Sequence, residues 1–423
     1  MKRWMSLGFL LIANVIYGQS SLEGKRSNKR VSTQPVSYPN FFKLAGYKKA
    51  DIDRKLAKAY YDVFEGPNKV YFVVDDTTAY VSDVKNHDAR TEGLSYGMMV
   101  AVQLNKKQVF DRIWRWSKKY LQHQSGPREG YFAWSINTTT LKRNSEGSAS
   151  DGELYYVTSL LFAANRWGNN TGINYYNEAR RILDAMWKKD GTGNIFNLIN
   201  TQAKQISFVP EGDGYHWTDP SYHLPAFYEV WALCAKDGHE QFYRDCADTS
   251  RAFLHRACNP VTGLNADYTE FNGTPHSTRW MPAAFRYDSW RVPMNITMDY
   301  VWFGKDKAWQ QAYAQRLQSF LRSRGIDTYE DQFNLDGSKP EFILKAGNNP
   351  PKLRHSIGLV ATVATASMMN RDAGSKDFIK ALWNAELKPY DDGYFDPYYD
   401  GLLYLFSLMH LSGNYRIIQP AAN

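Results

Sequence analysis

Apolar residues recur at helical spacing in successive segments between about residue 40 and residue 412. The clearest of these segments are 94–102, 154–164, 222–234, 309–321, 357–369 and 402–411. The strict alternation of apolar and polar residues that is typical of strands is scarce. The pattern therefore predicts an all-α protein of roughly a dozen helices, built from stacked helical hairpins.

Turn-forming stretches separate the predicted helices. They lie at 125–127, 190–193, 210–214 and 348–351. The body contains neither a long linker rich in Pro, Gly or Ser nor a sequence repeat that would indicate a solenoid. Length alone permits two domains, but the continuous helical pattern predicts one domain over residues 39–415.

The N-terminus has the layout of a secretory signal peptide. Lys2 and Arg3 precede a short apolar run that ends near Tyr17, where small and polar residues follow. The run is shorter than the ~20 apolar residues that span a bilayer. We predict a signal peptide at 1–18, a basic polar linker at 19–38, and an exported protein, periplasmic or secreted, with no membrane partner.

The formal net charge of +8 is concentrated at the N-terminus. Residues 1–34 hold six basic residues against one acidic residue, Glu23, so that +5 of the charge lies there. The body therefore lacks the basic excess that marks nucleic-acid binding. We predict no nucleic-acid partner.

The cysteines and histidines give little support to metal or thiol chemistry. Cys234, Cys246 and Cys258 form no C-x-x-C pair and have no histidine at metal-ligand spacing. Free thiols packed in helices are the better interpretation, although one internal disulfide is also possible. His216 and His223 lie seven residues apart and are interpreted as structural. We predict no metal site and no cofactor.

Three carboxylates stand at predicted helix starts. Glu92 follows Thr91, a candidate cap, and Asp288 precedes another apolar stretch. Asp151 lies between Ser150 and Glu153, which have the spacing of a capping box, so that Glu153 is interpreted as a cap. For Asp151, stabilisation by the helix dipole and a role in catalysis are equally good interpretations. The carboxylate of Asp288 can also serve simply as a partner of a neighbouring arginine.

These carboxylates can converge, because inner helices of a ring of hairpins run in the same direction and begin at one rim. Glycoside hydrolysis needs one carboxyl group that is protonated and one that is ionised. The chain is also rich in Trp, Tyr and Phe (13, 29 and 22 residues), whose flat faces suit sugar rings. The sequence therefore predicts a carbohydrate-cleaving enzyme in which these carboxylates carry the chemistry.

Six stretches in a fixed order make the sequence similar to a known family. They are 90–98, 130–135, 150–153, 219–228, 285–291 and 398–403. With them the chain resembles glycoside hydrolase family 8, and within it the xylan-active members, from about residue 75 to 412. The resemblance implies an (α/α)6 barrel and an inverting mechanism that requires no cofactor.

The resemblance also implies roles for individual residues. Glu92 falls at the general acid, Asp288 at the general base, and Asp151 at the carboxylate that contacts the sugar at the cleavage point. The implied substrate-binding residues are Trp134, Tyr222, Tyr287, Arg291, Tyr399 and His355. His355 falls where the exo-acting members carry a Leu-His-Pro loop that blocks one end of the cleft, but this chain has Ser356 in place of the proline.

The expected substrate is an oligosaccharide or polysaccharide of the xylan type, and the chain is predicted to act as a monomer. Release of xylose from the reducing end is favoured, because the surrounding stretches resemble that group more closely. Endo-1,4-β-xylanase activity is the first alternative, followed by β-glucanase or chitosanase activity. A non-catalytic sugar-binding protein and a polysaccharide lyase are the alternatives from other classes.

Overall fold

The computed structural model describes residues 38–279, 281–345 and 351–419. The predicted signal peptide and residues 19–37 of the predicted linker lie outside these residues. From Tyr38 onward the chain clusters as one unit. Within the described part of the chain, no helix is long and apolar enough to cross a membrane.

Thirteen α-helices and nine short strands occur among the described residues. The helices are α1 (Phe41–Leu44), α2 (Lys49–Phe64), α3 (Thr91–Gln103), α4 (Lys107–Tyr120), α5 (Ser150–Trp167), α6 (Tyr175–Trp187), α7 (Pro225–Cys234), α8 (Glu240–Ala257), α9 (Arg291–Trp302), α10 (Lys307–Ser323), α11 (Ile357–Thr365), α12 (Ser375–Asn384) and α13 (Tyr399–Leu411). The strands are β1 (Tyr71–Val73), β2 (Ala79–Val81), β3 (Asp88–Arg90), β4 (Ser135–Asn137), β5 (Arg143–Ser145), β6 (Ile199–Asn200), β7 (Gln205–Ile206), β8 (Trp217–Thr218) and β9 (Thr269–Glu270). Two 3-10 turns, Pro220–Tyr222 and Tyr287–Trp290, precede α7 and α9.

The helices from α2 to α13 form two concentric rings. The inner ring consists of α3, α5, α7, α9, α11 and α13; each contacts the next, and α13 contacts α3. The outer helices α4, α6, α8, α10 and α12 each pack on the inner helix that precedes them, while α2 packs on α13. This is an (α/α)6 barrel, which confirms the predicted all-α fold.

Burial along the helices follows from this arrangement. All nine residues of α11 are buried, and α3 has only one residue, Glu92, that is not buried. The outer helices α4 and α6 instead bury one face and expose charged residues on the other. An inner helix is covered on all sides, so it tolerates a nearly continuous apolar sequence, whereas an outer helix must be amphipathic.

Short antiparallel strands lie in the connections between helices, and one of them leads directly into α3. The strands pair as β1–β2, β3–β4–β5, β6–β7 and β8–β9. In the β3–β4 pair Arg90 lies opposite Ser135, and the ladder continues with the N–H of Thr91 donating to the carbonyl of Trp134 at 2.9 Å. The first residue of α3 is therefore fixed by the sheet.

The predicted helix caps are wrong. Neither α3 nor α5 has a side-chain cap, and Thr91 and Ser150 are the first helical residues. The hydroxyl of Ser150 donates instead to the carbonyl of Phe208 at 3.1 Å. Glu153 Oε1 accepts the N–H of Phe132 at 3.1 Å. Distant segments thus fix the start of α5, which sequence spacing alone does not indicate.

All three cysteines are free thiols in the structure. Cys234 ends α7, Cys246 lies within α8, and Cys258 follows α8 directly. Burial raises the pKa of each thiol. They are protonated packing residues, in agreement with the predicted free thiols.

The buried carboxyl group of Glu153 is expected to make the stability of the folded protein depend on pH. Burial raises its pKa from 4.5 to about 8, so the folded protein keeps a proton that the unfolded chain loses. The stability that the protonated side chain contributes is fully present below pH 4.5 and is lost as the pH rises towards 8. Because glutamine cannot ionise, Glu153→Gln is expected to gain in Tm relative to the wild-type protein as the pH rises.

Thermal unfolding of both proteins at about pH 5 and about pH 8 measures this gain. The surface variant Glu65→Gln is the control and is expected to show no such trend. A Tm difference between Glu153→Gln and wild type that is the same at both pH values would contradict the raised pKa.

Candidate active site

One arginine joins four carboxylates at the rim where the inner helices begin. Arg291 Nη1 donates to Glu92 Oε2 at 2.7 Å and to Asp151 Oδ2 at 3.0 Å. Arg291 Nη2 donates to Asp288 Oδ1 at 2.8 Å and lies 3.5 Å from Asp219 Oδ2. The carboxylates stand at the starts of α3 and α5 and in the segments that lead into α7 and α9. The predicted convergence of Glu92, Asp151 and Asp288 is therefore present.

Two glycines allow the helix starts to approach this closely. A Cβ on Gly152 would lie 2.5 Å from the Cβ of Thr91, and a Cβ on Gly93 would lie 2.3 Å from the ring of Tyr398. Neither distance is tolerated without displacing the neighbour. Gly152 thus lets α5 approach the residue before Glu92.

Glu92 has the environment of a proton donor. Its Oε1 accepts the hydroxyl of Tyr398 at 3.0 Å. Burial raises the pKa of Glu92 to about 7; Arg291 lowers it, and the charges of Asp151 and Asp288 raise it. A carboxyl group with such a pKa is largely protonated in mildly acidic solution, as general acid catalysis requires.

Asp288 is the most accessible of the four carboxylates. Its side chain is 29% exposed, whereas that of Arg291 is 2% exposed. It borders a pocket of about 250 Å³ that Glu92, Tyr287 and Tyr399 also line. A carboxylate at such an open position can contact a water molecule.

Asp151 is buried and held from two sides. Its Oδ1 accepts the N–H of Gly152 at 2.9 Å, and its Oδ2 accepts from Arg291. Burial raises its pKa to about 6, which Arg291 lowers and the charge of Asp288 raises. Both interpretations of Asp151 therefore hold. Its carboxylate stabilises the start of α5, and it also belongs to the site because it contacts Arg291.

The predicted aromatic residues lie around this cluster. The ring of Tyr222 faces the guanidinium of Arg291 at 5.5 Å. Trp134 accepts the N–H of the residue before Glu92, and its ring lies 5.7 Å from the guanidinium of Arg90. Tyr287 and Tyr399 line the pocket that Glu92 and Asp288 also border.

The predicted site residue His355 does not line the pocket that Glu92 and Asp288 border. Its Nδ1 lies 2.8 Å from the carbonyl oxygen of Tyr329. Its ring lines a different pocket, of about 500 Å³. The neighbouring Arg354 is paired with Asp392 at 2.7 Å. The sugar contact of His355 stays a prediction, which the position of this residue in a different pocket does not test.

Sequence reasoning missed two site residues. Asp219 is fully buried, and burial raises its pKa well above the usual range. Its Oδ1 accepts the N–H of Ser221 at 2.6 Å, while Oδ2 faces Arg291. An acid directly before Pro220 was the available signal, since proline favours the first position of a helix. The second missed residue is Tyr398, which adjoins the predicted Tyr399.

The residues that the structure describes contain no candidate metal site. No group of three or more His, Cys, Asp or Glu side chains there is arranged to hold a metal ion. The four carboxylates described above instead share Arg291 as their cation. The site can therefore offer carboxyl groups in different protonation states and aromatic faces.

Known proteins are similar to this chain in both sequence and fold. The model of the glycosyl hydrolases family 8 matches residues 69–411. Reducing-end xylose-releasing exo-oligoxylanase Rex8A of Paenibacillus barcinonensis is 37% identical over 387 residues, which cover 90% of this chain and 97% of the relative. A reducing end xylose-releasing exo-oligoxylanase of Halalkalibacterium halodurans is 37% identical over 388 residues, which cover 90% and 95%.

The solved structures agree with these relatives. A Rex8A variant complexed with an arabinofuranosyl-xylotetraose superposes with a TM-score of 0.83 at 36% sequence identity, and the match covers 92% of this chain and 98% of that chain. Endoglucanases are among the more distant relatives, at 30% identity or less. The similarity thus extends over nearly the whole of the described chain.

Proposed function

The chain belongs to the glycosyl hydrolases family 8, and from this premise we propose that it cleaves β-1,4-xylosidic bonds of xylo-oligosaccharides with inversion and releases xylose from the reducing end. The observation that carries the proposal is the meeting of Glu92, Asp151 and Asp288 on Arg291. The relatives named for this activity, which match nearly their full length, support the choice of substrate and chain end.

In the proposed reaction Glu92 donates its proton to the glycosidic oxygen as the bond from that oxygen to the anomeric carbon breaks. Asp288 takes a proton from a water molecule whose oxygen attacks the anomeric carbon from the opposite face. One proton thus leaves Glu92 and one arrives on Asp288. Exchange with solvent restores both groups before the next turnover.

The environments of the two carboxyl groups support this division of roles. Burial and the neighbouring negative charges favour the protonated form of Glu92. Asp288 is more exposed than Glu92 and contacts Arg291 through one oxygen, so that the carboxylate can meet a water molecule from the pocket. Once Glu92 has lost its proton, its contact with Arg291 stabilises the new negative charge. Asp151 places a further carboxylate beside the cleavage point.

We also propose that the protein is exported, on the basis of its N-terminal sequence. A positively charged start followed by a short apolar run supports export, to a periplasm or to the medium. A monomer suffices for the proposed reaction, because all four carboxylates and Arg291 come from one chain.

Xylohexaose labelled at its reducing end tests the proposed chain-end specificity. We expect labelled xylose and unlabelled xylopentaose as the first products, because the proposed enzyme removes one unit from that end. Early appearance of labelled xylobiose and xylotriose would instead indicate an endoxylanase. If xylohexaose is untouched while lichenan or carboxymethylcellulose is cut, the substrate class is that of the more distant endoglucanases.

A further inference from the structure

The backbone directly before Asp288 is strained. Tyr287 has a φ of 36°, in the left-handed region that residues other than glycine rarely adopt. Bulky residues stay in this region only where the surrounding structure holds them, and such positions cluster at functional sites. What holds Tyr287 therefore also determines where Asp288 points.

The hydroxyl of Tyr399 holds this backbone. It donates to the carbonyl oxygen of Tyr287 at 2.9 Å, and this carbonyl belongs to the peptide that joins Tyr287 to Asp288. Tyr399 is the first residue of α13, and its own N–H donates to Asp396 Oδ1 at 2.8 Å. Burial raises the pKa of Tyr399 well above its ordinary value, so the hydroxyl remains a donor at every working pH.

The ring of Tyr287 is held separately from its backbone. It stacks on Trp290, with ring centroids 4.9 Å apart and an interplanar angle of 26°. The indole N–H of Trp290 donates in turn to the carbonyl of Asp331 at 2.9 Å. This stack fixes the ring, and the Tyr399 hydroxyl fixes the peptide that follows it.

We propose that Tyr399 is a positioning residue whose hydroxyl keeps the Tyr287 peptide in its left-handed conformation and so directs Asp288 into the pocket. The inference rests on the proposed function, in which Asp288 is the general base. Arg291 contacts one oxygen of Asp288, and Tyr399 fixes the backbone from which that carboxylate extends. This role of the hydroxyl is separate from the substrate contact that the sequence predicts for Tyr399, which stays a prediction.

Removal of this hydroxyl is expected to affect turnover more than binding. Without the hydrogen bond the peptide can rotate to relieve the positive φ, and the carboxylate then loses its alignment with the attacking water. A misplacement of about 1 Å in an active site costs about 100-fold. We expect Tyr399→Phe to lower kcat on xylohexaose by about 10- to 100-fold, with KM changed less than about twofold.

Tyr404→Phe is a matched control on the same helix. The hydroxyl of Tyr404 also donates to a backbone carbonyl, that of Ala385, at 3.1 Å. It stands outside the pocket that holds Asp288. Its loss is expected to leave kcat unchanged, which separates the proposed role from the general cost of removing a buried tyrosine hydroxyl.

The Tyr399→Phe change is also made in two further variants, which distinguish a positioning role of Tyr399 from a contact with the sugar. Glycine adopts a positive φ without strain, so in a Tyr287→Gly background the additional Tyr399→Phe change is expected to cost little. In an Asp288→Ala background the small residual turnover is expected to be unaffected by Tyr399→Phe, because the residue on which Tyr399 acts is absent. An equal loss from Tyr399→Phe in all three backgrounds, or a rise in KM alone, would overturn the inference.

The same variants keep this inference separate from the proposed function. Full activity of Asp288→Ala would overturn the proposed base itself. Loss of activity in Asp288→Ala together with normal kcat in Tyr399→Phe would overturn only the positioning role.

Discussion

Glu92→Gln is expected to lower kcat on xylohexaose by about 10²- to 10⁴-fold, the range that general acid catalysis contributes. The amide keeps the size of the side chain, and its oxygen can still accept from Tyr398 or Arg291, the two partners of Glu92. It has no acidic proton for the glycosidic oxygen. Substrate binding, measured as Kd by calorimetry, is therefore expected to change only a few-fold.

A substrate with a different leaving group separates loss of the acid from general damage. Fluoride needs little protonation to depart, so Glu92→Gln is expected to cleave a β-xylobiosyl fluoride much faster, relative to the wild-type enzyme, than it cleaves xylohexaose. Equal loss on both substrates would indicate a disturbed site. Undiminished activity on xylohexaose would rule out Glu92 as the acid.

The pH profile of the wild-type enzyme reports on the same group. Because burial raises the pKa of Glu92 to about 7, kcat/KM is expected to fall as the pH rises through about 7 and Glu92 loses its proton. In Glu92→Gln this basic limb is expected to disappear. Its persistence in the variant would assign the limb to another group.

Arg291→Met is expected to have the largest effect on stability. The guanidinium is 2% exposed and is the shared cation of four carboxylates. Removal of one member of a buried ion pair costs about 3–5 kcal/mol, because the remaining charge is left without a partner. Urea denaturation is expected to show a loss of this size, and activity is expected to vanish with the alignment of Glu92 and Asp288.

The loss of stability in Arg291→Met is expected to depend on pH. Arg291 lowers the folded-state pKa values of Glu92 and Asp151, so its removal raises them further. The stability of the variant is then best below the ordinary carboxyl pKa values and falls as the pH rises to about 7. Urea denaturation at about pH 5 and about pH 7 measures this trend, with the exposed Arg54→Met as control. A variant as stable as the wild type at both pH values would contradict the account of this cluster.

Much of the fold was predictable because inner helices leave a strong signal. Segments such as 357–369 and 402–411 are almost uninterrupted apolar runs, and α11 and α13 indeed lie in the inner ring. The outer helices are amphipathic, so their apolar residues recur at helical spacing between charged residues and do not form continuous runs. The caps of α3 and α5 were mispredicted because a capping box is a local spacing, whereas contacts with Phe132 and Phe208 hold α5.

The carboxylates of the candidate site could be predicted from the sequence, but most of the contacts that they make with other residues could not. Glu92, Asp151 and Asp288 could be found because each stands at a helix start within a recognisable stretch. That Arg291 contacts all three is a tertiary fact, since 140 residues or more separate it from Asp151 and Glu92. The sequence predicts Tyr399 as a substrate-binding residue, but it cannot show that the hydroxyl donates to the backbone carbonyl of Tyr287, because that contact forms only in the folded chain.

The anomeric configuration of the new reducing end tests most directly whether Glu92 and Asp288 act as an inverting pair. Cleavage of xylohexaose creates this centre on the xylopentaose, and proton NMR in the first minutes records it before mutarotation. The proposed attack by water from the face opposite to the leaving group predicts the α-anomer first, followed by slow appearance of the β-anomer. Initial formation of the β-anomer would contradict the account, because it would require retention through a covalent intermediate.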